Sequence, residues 1–411
     1  MKDVIGGVCA PKGFKAWGLH CGIKADSEKK DLALIFSEKI CNAAGMFTTN
    51  RMKGASVLVS QESLADGKLH AIIANSGNAN ACTGQAGLDA ARGMAELAAR
   101  ETGVNPADVA VASTGPIGVP LPMEPIQNFV KPLAENLIAG KEGHDAALEA
   151  IMTSDGRAKE VSVEIEIDGK PVRIGGMVKG GKMLHPNMAT LLCFLTTDAK
   201  ISPQALERCL RPAVQNSFNR LTVDGDTSPN DTVIIMANGE AGNSAITAFS
   251  DEIEVFSKAL EAVCILLAKA AARDGDGATK LISVTVAGAP NDDIAANFAR
   301  TVAASNLVKS AFFSAGASWA RALCAAGYAG DFEAEKTSLR FQSRAGSIEP
   351  FKNGSPAAFC EKEAKEIFLE EEVEIIIDLG GGFGKATAWG CNLTLDYISM
   401  NGAPPGYSGS R

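Results

Sequence analysis

The chain reads as an α/β enzyme of two or three domains, and three observations carry that reading. Its 411 residues, 46% of them hydrophobic, suffice for a sizeable core, and domains run to roughly 100–200 residues each. Its 42 glycines stand against only three Trp and three Tyr, a composition suited to close packing and unlike a fibrous or disordered chain. Short apolar runs also alternate along it with segments of helical periodicity.

The elements follow in order. Ala71-Ile72-Ile73-Ala74 reads as a buried strand that ends in the turn-rich run Asn75-Ser76-Gly77-Asn78-Ala79-Asn80. From Leu88 to Arg100 the spacing of Leu88, Ala91, Ala95 and Ala98 predicts a helix. Asp108 to Ala112 is a second strand, stopping at Ser113-Thr114-Gly115. Val161, Val163, Ile165 and Ile167 alternate with polar residues, and Asp168-Gly169 turns the chain back through Val172 and Ile174 as a hairpin. Leu191 to Leu195 is too short an apolar run for a helix and reads as a fully buried strand. Ser202-Pro203 caps a helix bearing Leu206 and Leu210. A longer helix, about Phe256 to Ala272, ends at Asp274-Gly275, and strands follow near Leu281–Val286, Glu374–Leu379 and Thr387–Cys391. These elements place a main α/β domain at 1–275 and a C-terminal α/β domain at 276–411.

Charge and composition exclude several partners. The net charge is −9 with no Lys/Arg cluster to offset it, so nucleic acid, which demands a basic footprint, is not expected. Ten cysteines stand singly with no CxxC pair, and the four His are dispersed. The expectation is reduced core thiols and no metal site. No apolar run reaches the ~18–20 residues of a membrane helix, and the first residues lack the pattern of a signal segment. The chain is expected to be soluble and cytoplasmic, without a bound cofactor.

The most informative segment is Lys179-Gly180-Gly181-Lys182-Met183-Leu184-His185-Pro186-Asn187-Met188-Ala189-Thr190. A polar, glycine-bearing loop runs into a β-branched hydroxyl residue just ahead of a buried strand. A hydroxyl is inert as a nucleophile without a base beside it. If the Ala189–Thr190 bond were cut, Thr190 would become an N-terminus whose own amine, with an ordinary pKa of about 7.7–8, takes up the hydroxyl proton. The cut would begin with Thr190 Oγ attacking the Ala189 carbonyl; an N→O acyl shift gives an ester that water hydrolyses. On these residues alone, Thr190 reads as simply the first residue of a strand.

The segment resembles the Lys-Gly-Ser-Gly-Met-Ile-Ala-Pro-Asn-Met-Ala-Thr signature of the bifunctional ornithine/glutamate N-acetyltransferase family of arginine biosynthesis. The likeness runs almost the whole length. It takes in Ala10-Pro11-Lys12-Gly13-Phe14, Phe47-Thr48-Thr49-Asn50-Arg51 and the run from Asn75 through Cys82-Thr83-Gly84. Ser217-Phe218-Asn219-Arg220, Val223-Asp224-Gly225-Asp226-Thr227 and Ala388-Trp389-Gly390-Cys391, with Thr394 and Tyr397, continue it.

That resemblance implies a self-processing α/β sandwich like that of self-cleaving aminopeptidases, with a smaller C-terminal α/β domain. It implies fragments 1–189 and 190–411 paired as an α2β2 assembly. The reaction it implies moves acetyl from N-acetylornithine to glutamate through an acetyl-threonine enzyme, with acetyl-CoA as a further donor in some members. Thr190 would be the nucleophile and Ala189–Thr190 the cleavage site. Thr114 and Gly115 would form the oxyanion hole, where a tetrahedral intermediate needs donors; without the resemblance, Ser113-Thr114-Gly115 is a turn. Thr153, Lys179, Thr190, Asp276 and Asn401 would contact substrate, Lys179 suiting its α-carboxylate and Asp276 its cationic end. By residue type alone, Lys179 is a solvated loop lysine.

Several positions depart from the family pattern. Lys182 replaces a glycine, which costs roughly 1 kcal/mol if the backbone there is left-handed. His185 replaces an alanine, either as a proton shuttle in cleavage or as a tolerated change on a mobile loop. Asp276 replaces a glutamate, and Gly316-Ala317-Ser318-Trp319-Ala320-Arg321 stands where the family has Asp-Pro-Asn-Trp-Gly-Arg. The tail 401–411 has no clear equivalent of the family's terminal threonine, for which Ser408 or Ser410 are the substitutes at hand. Two other patterns fail as sites. Gly380-Gly381-Gly382-Phe383-Gly384-Lys385 lacks the first glycine and the final Ser/Thr of a phosphate loop and reads as a glycine-rich turn. Asp224-Gly225-Asp226 with Asn230-Asp231 lacks the glycine and glutamate of a calcium loop and reads as an Asx turn. Two alternatives stand beside the acetyltransferase: a self-processing amidohydrolase or aminopeptidase, and a non-catalytic relative.

Overall fold

The computed structural model describes residues 1–24, 28–185, 191–314 and 318–402. The chain forms a mixed α/β fold in two compact units. The first takes in Met1–Gly180, Asn187–Asn219 and Thr227–Leu267; the second takes in Gly181–Pro186, Arg220–Asp226 and Ala268–Arg411.

The strands of the first unit are β1 (Lys2–Asp3), β2 (Phe14–Leu19), β3 (Leu32–Phe47), β4 (Lys68–Ser76), β5 (Val109–Thr114), β6 (Glu160–Ile167), β7 (Lys170–Lys179), β8 (Leu192–Thr197) and β9 (Thr232–Ala237). Among the described residues they form one sheet in the order β1-β6-β7-β8-β9-β3-β4-β5, with β2 paired on β3. The helices are α1 (Ala55–Ser63), α2 (Gly84–Thr102), α3 (Met123–Glu135), α4 (Lys141–Ile151), α5 (Pro203–Gln215) and α6 (Glu252–Arg273), the last belonging to this unit as far as Leu267.

The parallel pair β4–β5 shows why this sheet lies between helices. Ile72, Ala74, Ala110 and Ala112 join a core with Ala147, Leu148 and Ile151 of α4. The alternate residues Ala71, Ile73, Val109 and Val111 join a second core with Met94 and Ala98 of α2 and Ile126 and Val130 of α3. A parallel strand pair buried on both faces reads as a continuous apolar run, as both segments do. The β6–β7 hairpin turns on Asp168 (φ 51°) and Gly169 (φ 68°), the two left-handed residues that a tight two-residue turn requires. Ser202 caps α5, its Oγ accepting the Ala205 N–H at 3.3 Å.

The second unit holds β10 (Leu281–Ala289), α7 (Asp292–Ala304), α8 (Asn306–Phe313), α9 (Ala320–Gly327), β11 (Ser338–Ser343), β12 (Gly346–Lys352), β13 (Ser355–Pro356), α10 (Glu361–Leu369), β14 (Glu372–Asp378), β15 (Gly384–Cys391) and α11 (Leu395–Asn401). The sheet order is β13-β12-β11-β14-β10-β15. One face of it packs Val284, Val286, Ile375 and Ile377 against Phe298 and Val302 of α7 and Phe312 of α8. On the other face Thr285 Oγ1 donates to Glu374 at 2.6 Å and lies 2.9 Å from Thr387 Oγ1.

Three expectations are corrected here. Asn75 and Ser76 belong to β4 and not to the turn after it. The glycine-rich segment Gly380 to Phe383 is a bent crossing rather than a closed turn: β10 lies between β14 and β15, and the segment passes the end of that strand. Glycine is required on this crossing, where a Cβ on Gly382 would sit 2.2 Å from the Ala289 carbonyl oxygen. Seven of the ten cysteines are buried, but Cys82, Cys324 and Cys360 are exposed. No helix among the described residues is long and apolar enough to cross a membrane.

Candidate functional site

In the first unit, two strand ends and one loop bring Thr114, Lys179 and Thr153 together. Thr114 closes β5 and is buried. Gly115 follows at φ 143°, and a Cβ there would lie 2.4 Å from the Asn78 amide nitrogen. The Asn78 N–H donates to the Thr114 carbonyl at 3.1 Å, so the Asn75–Asn80 run closes over this strand end at a spacing only glycine allows. Lys179 closes β7, opposite Leu192 of β8. It is 4% exposed, so it is a buried strand residue and not the solvated loop lysine its type alone indicates. Its ammonium donates to Thr153 Oγ1 at 2.7 Å and to Thr114 Oγ1 at 3.2 Å.

Asp155 holds this cluster from behind. One carboxylate oxygen accepts the Gly180 N–H at 2.8 Å and the Lys159 ammonium at 2.7 Å. The other accepts the Thr153 N–H at 2.8 Å and lies 4.0 Å from Lys179 Nζ. Burial opposes its charge, but Lys179 and Lys159 outweigh burial and hold the carboxyl well below the ordinary range. Lys24 donates to the Met152 carbonyl at 2.8 Å, beside Thr153. Burial lowers its ammonium to about 8, against the attraction of Asp31.

Asp231 lies at the edge of β9, and its Oδ1 accepts the Leu191 N–H at 3.2 Å. This carboxyl is fully buried. Burial pushes it well above the ordinary range, against the Leu191 amide, the Thr48 hydroxyl and the charge of Lys179. Ala189 and Thr190 themselves lie outside the described residues, as do Ser408 and Ser410.

The second unit gathers Lys182, Asp276 and Asn401. The Asp276 N–H donates to the Gly181 carbonyl at 2.7 Å. Asn401 Nδ2, at the end of α11, donates to Asp276 Oδ2 at 3.3 Å, and Lys182 Nζ stands 3.9 Å from the same oxygen. A Cβ on Gly181 would lie 2.6 Å from Asp276 Oδ1, so glycine admits this carboxylate. The Asx reading of Asp224 holds and extends: its two oxygens accept the N–H groups of Met183 (2.5 Å), Leu184 (3.0 Å) and Asp226 (3.3 Å). Tyr397 Oη donates to Asp224 at 3.3 Å; burial and that carboxylate push the phenol up to about 12. Among the described residues of this segment the non-glycine with positive φ is Met183, at φ 52°, so the left-handed position considered for Lys182 falls one residue later. His185 is half-buried, with Nδ1 3.1 Å from Thr222 Oγ1, and burial lowers its imidazole pKa.

The family model described as "ArgJ family" matches residues 15–404. The chain belongs to the ArgJ family. Among its curated relatives, the arginine biosynthesis bifunctional protein ArgJ of Caldanaerobacter subterraneus subsp. tengcongensis is 45% identical over 98% of this chain and 99% of that one. Its counterpart in Symbiobacterium thermophilum is 47% identical, again over 98% and 99%. A crystal structure of the ArgJ protein from Bacillus halodurans, 43% identical, aligns with 51% of this chain and 97% of that chain at a TM-score of 0.49.

Within this ArgJ-family chain, the residues that reading by sequence missed are Asp155, Lys159, Asp231 and Lys24. Each is a polar residue whose importance lies in burial, and burial leaves no local signature. Asp155 carried the nearest signal, standing two residues after Thr153. Asp231 enters the sequence reading only through a failed calcium pattern, whereas Asp224 belongs both to that pattern and to the family-like run Val223–Thr227. A grouping of His144, Asp145 and Glu160 also has metal-like proximity. Its atoms are already engaged: the Val8 N–H donates to His144 Nδ1 at 3.2 Å, His144 Nε2 lies 2.8 Å from Glu160, and Lys141 donates to both carboxylates.

Proposed function

We propose that this chain is a glutamate N-acetyltransferase of the ornithine acetyltransferase type, moving acetyl from N-acetylornithine to glutamate in arginine biosynthesis. The carrying observation is the relationship to bifunctional ArgJ proteins over nearly the whole of both chains. The Lys179–Thr114–Thr153 cluster supports it, since three residues that the family likeness singles out separately share hydrogen bonds. Neither the hydrolase nor the non-catalytic alternative is favoured by that relationship.

In this reading the chain first cuts itself at Ala189–Thr190. Thr190 Oγ then attacks the acetyl carbonyl of N-acetylornithine while its proton passes to the freed Thr190 amine. The carbonyl oxygen becomes an oxyanion, met by the Thr114 hydroxyl and the Gly115 N–H. The C–N bond breaks, the proton moves from the Thr190 amine to the departing ornithine amine, and acetyl-Thr190 remains. The glutamate amine attacks the ester by the same steps in reverse. Lys179 holds the substrate carboxylate and Thr153 orients Lys179; Asp276 and Asn401 are further substrate contacts that the family likeness implies, Asp276 suiting a cationic group. Acetyl-CoA is a candidate second donor, the cut fragments a candidate α2β2 assembly, and the cytoplasm the proposed location.

Intact mass of purified protein tests the reading. The wild-type chain is expected as two fragments divided at Ala189–Thr190, with an acetyl adduct on Thr190 after exposure to N-acetylornithine. Thr190→Ala is expected as one uncut chain that transfers no acetyl. An active wild-type enzyme that is never cut overturns the mechanism.

A further inference from the structure

The Lys179 ammonium is not held by the two hydroxyls alone. Hydroxyls on Thr114 and Thr153 accept its protons, but neither carries a charge to fix it, and a lysine chain has four rotatable bonds. A fixed anion beside it is Asp155, 4.0 Å away, whose side chain is fully buried. Asp155 is anchored by groups that do not depend on Lys179: the N–H groups of Thr153 and Gly180 and the buried Lys159 ammonium at 2.7 Å. Gly180 is also the residue that follows Lys179, so one carboxylate grips both the lysine head and the backbone beyond it. Thr153 is gripped too, through its N–H at 2.8 Å and its hydroxyl at 3.4 Å.

We infer that Asp155 is the positioning residue of the substrate-binding cluster, fixing Lys179 and Thr153 in one arrangement, with Lys159 serving to hold Asp155 in place. This rests on the reading above that Lys179 grips the substrate carboxylate. Asp155 itself touches no substrate; it acts through the lysine. Other charged groups that bear on this arrangement are Lys24, in the segment after β2, and Asp231 at the edge of β9.

Because a carboxylate held by Lys179 is bound alike in the ground and transition states, its loss raises KM and leaves kcat nearly unchanged. Steady-state acetyl transfer is measured on the cut form of each variant. Lys179→Met is expected to raise KM for N-acetylornithine by about 10- to 100-fold, with any loss of kcat beside it reporting the hydrogen bond to Thr114 Oγ1. Asp155→Asn is expected to do the same, although both residues of the Lys159–Lys179 pair remain. Asp155→Asn combined with Lys159→Gln removes one buried charge of each sign, so the net charge of the cluster is kept and folding is spared. It too is expected to show the raised KM. If a substitution stops the cut, binding of N-acetylornithine by the uncut Thr190→Ala chain, with and without Asp155→Asn, is compared by calorimetry. A wild-type KM or affinity after loss of Asp155, while Lys179→Met raises KM, overturns the inference. A wild-type KM in Lys179→Met instead overturns the reading on which it rests.

Discussion

Gly115 illustrates how much a single residue is asked to do. Its backbone passes so close to Asn78 that a methyl group would meet that amide at 2.4 Å, and its φ of 143° is disfavoured for any side chain. If its N–H faces the developing oxyanion, its position matters to a fraction of an ångström. Gly115→Ala is therefore expected to lose more stability than the about 1–3 kcal/mol of a strained backbone alone, because its Cβ also displaces the backbone at Gly77 and Asn78. It is expected to lower kcat for acetyl transfer by about 100-fold or more, the usual cost of one oxyanion donor. Thermal unfolding and steady-state kinetics on the same preparation check both parts. A variant with wild-type kcat removes Gly115 from the chemistry. Asp224 teaches the complementary lesson: by accepting the N–H groups of Met183 and Leu184 it shapes the segment 181–185 from a distance of about forty residues in sequence, while its own turn is closed by the Asp226 N–H.

At the scale of elements, α4 is tied to β6 by charge as well as by packing. His144, buried on α4, holds Glu160 on β6, and Lys141 adds to it; against burial, they hold the carboxyl down at about 2. A carboxyl depressed from about 4.5 contributes stability that is present above that value and lost as pH falls through 2. Glu160→Gln is expected to lower stability by on the order of 1–2 kcal/mol above pH 5, after allowance for the exposed part of the group. The difference from wild type should shrink steadily toward pH 2, as urea midpoints across that range will measure; a gap independent of pH refutes the pairing. The elements that could be read in advance were those with a strong local pattern. The β6–β7 hairpin had its Asp168-Gly169 turn, α5 had Ser202-Pro203, and α2 had its spaced alanines. The sixteen-residue β3 had no such pattern: it is polar where it leaves β4, at Glu38 and Lys39, and apolar where it is covered. Nor does local sequence tell that β10 separates β14 from β15, since strand neighbours are decided by contacts between residues far apart. The same reason explains the site. The resemblance pointed to Thr114, Thr153 and Lys179, but the buried carboxylate that joins two of them is visible only in three dimensions.

Over the whole molecule, an alanine- and glycine-rich chain has built cores in both units from many small side chains, with Phe298, Phe312, Phe341 and Phe368 the large fillers of the second. Such packing seals most thiols away. Burial pushes the Cys9 and Cys41 thiols up to about 12 and Cys209 to about 11, so they are unreactive both for lack of access and for lack of thiolate. Iodoacetamide on the native protein is expected to add to Cys82, Cys324 and Cys360 only, and to all ten cysteines in denaturant, as peptide mass mapping will report. Rapid native modification of Cys9 or Cys41 contradicts the burial described here.

The placement of β10 between later partners bears on how the protein is made. At its first residue, Leu281 lies beside Glu372 on one flank and Cys391 on the other, so a ribosome delivers this strand about ninety residues ahead of anything that can pair with its backbone. Until then an apolar ribbon, Leu281-Ile282-Ser283-Val284-Thr285-Val286, waits with both edges open, the state in which strands most readily join the wrong neighbour. The nascent chain is thus open to mispairing at this strand until β14 is made.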